Sequence, residues 1–291
     1  MTNPHRDRIR QSRRLLQNQY AYLAEDGGFE AELPESDPVL RGGPSNSPSR
    51  IAASDLLAGK NKGDRFRRTE IEEIARRLHL ALWGQRSALL SSGEVTPLDV
   101  VNPSMALMSL GFDVLEDPSL GDVDVDGELL GVAGLLDRDN SRVSISPRYP
   151  ADIQRFTLAH ELGHVVLHQG SGLHRDRGLN GAPGRRPSSP EEAEANFFAA
   201  AFLMPAKLVR AEFRSRFATE HLVMTEEAAF GLGAAATAGA RRDYKASQDL
   251  CRQLASAEHF HGTHFPSLAQ RFQVSESAMA IRLRELELVD S

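Results

Sequence analysis

With 291 residues, 41% of them hydrophobic, the chain is long enough for one large or two modest domains with a real core. A formal net charge of −6 gives no global nucleic-acid signature, and the single cysteine, Cys251, excludes an internal disulfide and a cysteine-rich zinc site, so any metal must sit on His, Glu or Asp. No apolar run is long enough to span a membrane and no apolar stretch backs the N-terminal arginines, so a cytoplasmic protein with no membrane partner is expected.

In chain order, residues 5–24 carry five arginines among Ile9, Leu15, Leu16, Tyr20 and Leu23 at helical spacing. This reads as a solvated surface helix, with contact to an acidic partner as the alternative. Residues 25–65 are rich in Gly, Pro and Ser and read as linker or mobile loop. A helix is expected from Thr69, as its cap, to about Leu90, with Ile71, Ile74, Ala75, Leu78, Leu82 and Trp83 on one side. A second, shortened or broken by Pro103, runs from Pro97 to Leu110 and stops at Gly111. Strand signals follow at Phe112–Leu115, Leu129–Leu136 and Arg142–Ser146, the last two flanking a turn-rich spacer and forming a hairpin.

The segment Arg155-Phe-Thr-Leu-Ala-His-Glu-Leu-Gly-His164 lies on a helix expected over about 152–169. It places His160 and His164 four residues apart, hence on one face, where two imidazoles can grip one metal ion. Glu161 lies near the same face and can act as base toward water that the metal activates. His168 continues the row, but at the helix end a cation favoured by the helix dipole is the simpler reading. Residues 169–190 read as a long polar loop, either a functional flap or an insertion.

A catalytic zinc site usually takes three protein ligands and leaves one position open. The helix expected from Pro190 to about Met204 offers Glu191, Glu192 and Glu194, and periodicity alone does not choose among them. Asn196 sits one turn after Glu192 and could orient an imidazole through its other ring nitrogen. Ser189-Pro-Glu-Glu192 equally matches a helix start in which Glu192 closes a capping box, so by spacing Glu192 is either ligand or cap.

Beyond this helix, residues 225–258 are Ala-rich and read as helical, weakened by glycines in their first half. His259, His261 and His264 read as a solvated loop rather than a second metal site. Leu268–Phe272 and Glu276–Leu286, joined through Val274-Ser275, form a helix-turn-helix pattern within 267–287. Leu268, Ala269, Phe272, Val274, Met279, Ile281, Leu283 and Leu286 would pack the pair, and Ser275 would cap the second helix. Arg282 and Arg284 could reach phosphate, but Glu276, Glu285 and Glu287 would repel it, which favours a structural or substrate-docking role.

The stretches Arg155–His168, Glu192–Pro205 and Leu268–Leu283, in that order, resemble the ImmA/IrrE family of metallopeptidases over roughly residues 95–289. The resemblance implies an α+β, zincin-like fold with a mixed helix and small-sheet core. The chain is expected to divide into an N-terminal basic helix and linker at 1–65, a zincin-like metallopeptidase domain at 66–210 and a helical region at 211–291. The resemblance implies His160, His164 and Glu192 as ligands of Zn2+, or of another divalent ion such as Mn2+, with Glu194 as the runner-up, and Glu161 as general base. It also implies a protein substrate, a helix-turn-helix transcriptional repressor whose cleavage switches on a stress response or a mobile element. Tyr149, Arg155 and His221 are candidates for stabilising the oxyanion. The competing function is a DNA-binding regulator on a peptidase-like scaffold with little or no activity.

Overall fold

A computed structural model describes residues 49–57, 59–90, 95–125, 128–170, 173–177, 189–223, 225–232 and 244–289. The basic N-terminal segment and most of the expected flap lie outside these residues. The fold is α+β. In chain order come α1 (Ala53–Leu56), α2 (Arg68–Gly84), α3 (Arg86–Leu89), a 3-10 turn (Pro97–Val100), α4 (Pro103–Ser109) and strands β1 (Asp113–Glu116), β2 (Asp122–Val125), β3 (Glu128–Asp137) and β4 (Arg142–Ile145). Then follow α5 (Ala151–Leu167), β5 (Leu173–Arg177), α6 (Pro190–Leu203), α7 (Ala206–Phe217), α8 (Glu226–Gly231) and α9 (Tyr244–Ser256). A short hairpin, β6 (His259–Phe260) and β7 (Thr263–His264), precedes α10 (Leu268–Phe272) and α11 (Glu276–Glu285). Among the described residues no helix is long and apolar enough to cross a membrane.

β3 organises the sheet. Its first half pairs antiparallel with β2, and its second half lies between β4 and β5, antiparallel to both. β1 joins the far side of β4 in parallel, giving the order β1-β4-β3-β2 with β5 on β3. Helix α5 packs across this sheet through Leu158, Leu162 and Val165, which share one core with Leu136, Val143 and Ile145. On its other side α5 packs against α6, and α6 in turn against α2. Every residue of α5 from Thr157 to Leu167 is buried, so this helix runs through the middle of the molecule. Chain breaks fall where backbone chemistry dictates: Pro103 opens α4 at its first turn, where no N–H is needed, and Gly111 beyond its end adopts φ +88.

Several expectations are corrected. Ile51, Leu56 and Leu57 are buried in the common core, and the N–H of Ile51 bonds to the carbonyl of Ser109 at 2.8 Å, so the end of the expected linker is packed structure. Thr69 lies inside α2, whose entry is closed instead by Glu70 accepting from the Arg67 N–H at 2.7 Å. Residues 173–177 are a strand, not loop. Ala206–Phe217 forms a further helix, beyond those expected from the sequence, held by Leu208, Val209, Phe213 and Phe217. The His259–His264 segment is a hairpin, with His261 and Gly262 both at positive φ, as a two-residue turn of the primed type requires.

The C-terminal helix pair forms as expected, with Ser275 accepting from the Ala278 N–H at 3.1 Å. Two of its side chains point the other way. Ile281 is exposed rather than packed, and Arg282 is 1% exposed rather than available to phosphate. The Arg282 guanidinium lies 2.8 Å from Glu72 and 3.5 Å from Glu285, and its Nε donates to the carbonyl of Met204 at 3.0 Å.

Candidate metal centre

His160 and His164 project from adjacent turns of α5 toward α6, and both are buried. α6 can come close because of Gly163 between them: a Cβ there would lie 3.1 Å from the Ala195 backbone and 3.3 Å from the Phe198 side chain. The helices therefore cross at Gly163 and Ala195, with Glu192 and Asn196 on either side of the crossing. Ser189 caps α6 by accepting from the Glu192 N–H at 3.2 Å, while the Glu192 carboxylate reaches the imidazoles. The capping position and the site position are thus one residue used at two ends.

The donor atoms converge. His160 Nε2 and His164 Nε2 are 3.0 Å apart. One oxygen of Glu192 is 3.4 Å from the first and the other is 3.3 Å from the second. Among the described residues His160, His164 and Glu192 form the one group of three able to hold a metal ion, with all their ligand atoms within 4.8 Å. Tetrahedral bonds of about 2.0–2.1 Å to nitrogen and oxygen would space donors about 3.3 Å apart. The set fits a zinc-sized cation in both chemistry and spacing.

The proton positions agree. His160 Nδ1 is 2.9 Å from Asn196 Oδ1, an acceptor, so Nδ1 carries the proton and Nε2 presents a lone pair. His164 Nδ1 is 3.0 Å from His168 Nδ1, and His168 Nε2 is 3.1 Å from a Glu194 carboxylate oxygen. His168 is therefore not an exposed cation at the end of the helix. It is buried, and desolvation lowers its pKa despite the opposing pull of Glu194. Glu194 accepts from the Phe66 N–H at 3.3 Å and lies 3.5 Å from the Arg65 guanidinium, which places it away from the three converging donors. Glu191 is exposed at the first turn of α6.

Glu161, fully buried, faces the sheet. A Cβ on Gly134 of β3 would lie 3.0 Å from a Glu161 carboxylate oxygen and 2.5 Å from the Thr157 methyl, so glycine is what lets strand and helix meet there. The register of β3 against β5 shifts at the same place, between Val132 and Gly134. The Glu161 charge acts on Arg138 just beyond β3, whose pKa is nevertheless lowered, mainly by burial. Arg138 donates to the carbonyl of His164 at 2.5 Å, Lys62 to that of Val165 at 2.7 Å, and the Gly63 N–H to that of Leu167 at 2.9 Å. The last turn of α5 thus has its carbonyls tied down by partners from two distant segments.

Of the three oxyanion candidates, Tyr149 donates its hydroxyl to the carbonyl of Gly131 at 2.7 Å, and Arg155 donates to the carbonyl of Val101. His221 is exposed in the turn after α7. His168, expected as a helix-end cation, and Glu194, expected as the runner-up ligand, instead pair with each other, while Arg138 and Lys62 carry no expectation from the sequence. Only the spacing of His168 on the histidine row, and of Glu194 two residues after Glu192, hinted at the first pair.

Residues 123–238 match the family model of peptidase M78, described as the IrrE N-terminal-like domain. This part of the chain therefore carries an IrrE N-terminal-like domain, which supports the resemblance to the ImmA/IrrE family. The match spans β3, α5 and α6, hence every residue of the converging set, and it ends before the C-terminal helix pair. No curated protein matches the chain significantly. The IrrE-like domain accounts for a metallopeptidase-like site on an α+β core. The helix-turn-helix-like segment, the substrate and the cleaved bond lie outside what the match covers.

Proposed function

We propose that the protein is a zinc-dependent endopeptidase that cleaves a transcriptional regulator, a repressor of the helix-turn-helix kind. The observation that carries the reading is the convergence of two imidazole Nε2 atoms and the Glu192 carboxylate at 3.0–3.4 Å, with Asn196 fixing the proton on the far side of His160. His160, His164 and Glu192 would hold the metal, Zn2+ or another divalent ion such as Mn2+. When bound there, such an ion supplies Lewis acidity toward the scissile carbonyl and acidifies the attacking water.

The remaining steps belong to the chain. Glu161, beside the ligand His160 and shut against Gly134, takes the proton of the attacking water on a carboxylate oxygen and returns it to the leaving amine. Burial of this carboxylate strengthens its coupling to nearby charge, because little water screens it. The carbonyl ties at His164, Val165 and Leu167 hold the helix that carries both imidazoles, so the donors are positioned in advance.

The alternative, a DNA-binding regulator with little activity, loses its main contact: Arg282, the central basic residue of α11, is enclosed by Glu72, Glu285 and the Met204 carbonyl. The test is co-expression with helix-turn-helix repressors encoded beside this protein, wild type against Glu161→Gln. Loss of full-length repressor with the wild type alone supports the peptidase; identical repressor levels with both would refute it.

A further inference from the structure

We propose that His168 and Glu194 are positioning residues that set the tautomer and orientation of the metal-facing imidazole of His164. The inference rests on the metal-site reading above and assigns these two residues no bond to the metal. Each ligand histidine needs a partner for its second ring nitrogen, because a proton fixed there leaves the other nitrogen's lone pair for the cation. For His160 that partner is Asn196. For His164 it is His168, at 3.0 Å between the Nδ1 atoms.

The proton assignments follow from one end of the chain of contacts. An ionised Glu194 only accepts, so His168 Nε2, 3.1 Å away, carries a proton. A neutral His168 then has its lone pair on Nδ1 and accepts from His164 Nδ1–H. His164 Nε2 is left as an acceptor facing His160 Nε2 and Glu192. Every donor meets an acceptor, and both metal-facing nitrogens end with lone pairs. Reversing any proton in this line would put two protons or two lone pairs against each other.

The line does not stop at Glu194. Its other oxygen accepts from the Phe66 N–H at 3.3 Å and lies 3.5 Å from Arg65. Both residues precede the segment matched by the family model. The orientation of His164 is therefore held from outside the IrrE-like region, by the turn that leads into α2.

The test measures zinc affinity of the full-length protein by competition with a chromophoric chelator, and the d–d spectrum of the cobalt-substituted protein. His168→Leu removes both hydrogen bonds, while His168→Gln keeps an acceptor and a donor on the side chain. Glu194→Gln keeps the shape and an acceptor but removes the charge. Zinc affinity should fall roughly ten- to a hundredfold in His168→Leu, with partial recovery in His168→Gln, a smaller loss in Glu194→Gln, and altered cobalt bands in the first. Affinities within twofold of wild type in both His168→Leu and Glu194→Gln would overturn the positioning roles while leaving the metal site intact. If His168→Leu does not fold, the Glu194→Gln result decides by the same twofold criterion. A wild-type protein that takes up neither ion overturns the metal reading itself, and the inference with it.

Discussion

The centre between α5 and α6 and the C-terminal pair α10–α11 both bury polar side chains in the same hydrophobic core, with opposite results. Between α5 and α6 the groups are acceptors whose lone pairs converge: two imidazole nitrogens and a carboxylate within 3.0–3.4 Å. In α11 the buried group is itself a cation, Arg282, and two carboxylates and a backbone carbonyl surround it. The first arrangement has the donors and spacing to take up a cation; the second is already a finished structural joint between α11, α2 and the end of α6. A helix-turn-helix pattern in sequence thus records how two helices pack, and the site chemistry must be read from where the charges end up.

The sharpest way to break the comparison is Glu161→Gln. Kinetics on a cleavable repressor should show a fall of about 10²–10⁴ in kcat/KM, while zinc content by elemental analysis stays that of the wild type. A comparable loss of zinc would make Glu161 part of the ligand set instead.

On the other side of the comparison, Arg282→Ala should cost stability, not function. Removing one member of a buried ion pair destabilises by about 3 kcal/mol, somewhat less here because Glu72 is partly exposed. Denaturant unfolding measures it. If Arg282 instead served DNA, duplex affinity would drop with stability unchanged.

His79 extends the contrast to a base that burial keeps neutral. It stacks on Phe202 of α6 with ring centroids 4.6 Å apart, and desolvation lowers its pKa from 6.5 to about 4, against a backbone hydrogen bond to Phe202. Its folded pKa lies below the unfolded value, so the unfolded chain takes the proton first on acidification. Its contribution is whole above about pH 6.5 and is lost as pH falls toward 4, by up to about 3 kcal/mol. The unfolding free energy of wild type relative to that of His79→Leu, measured across that window, should fall as pH drops; a pH-independent difference would mean that His79 is not held neutral.

The smallest change tests the crossing. Gly163→Ala adds a Cβ 3.1 Å from the Ala195 backbone, so α6 must give by a few tenths of an ångström. A loss of about 1–2 kcal/mol in thermal unfolding is expected, with weaker zinc binding as Glu192 moves off. Tighter zinc binding would show that the wild-type spacing is not the optimum.

The legible and illegible parts of this chain differ for physical reasons. α5 and α6 are readable because their apolar spacing, caps and candidate ligand residues lie within single helices. The β3–β4 hairpin was readable because its apolar runs flank a turn-rich spacer. β5 was not: Leu-His-Arg-Asp-Arg has no apolar alternation, and its pairing is dictated by the edge of β3. α7 did carry a pattern, in Leu208, Val209, Phe213 and Phe217, which Pro205 and the intervening arginines masked. Glu192 was ambiguous between cap and ligand because its backbone serves the one and its carboxylate faces the other. His168 could not be interpreted from α5 alone, since its meaning comes from Glu194 on another helix.

The three carbonyl ties at the end of α5 have a practical corollary. Two come from Lys62 and Gly63, some sixty residues before the stretch that matches the family. A fragment trimmed to that stretch would keep all the donor atoms and Glu161 yet lose the splint on the helix that presents them. A shortened version that lacks Lys62 and Gly63 and binds metal poorly would report on trimming, not on chemistry.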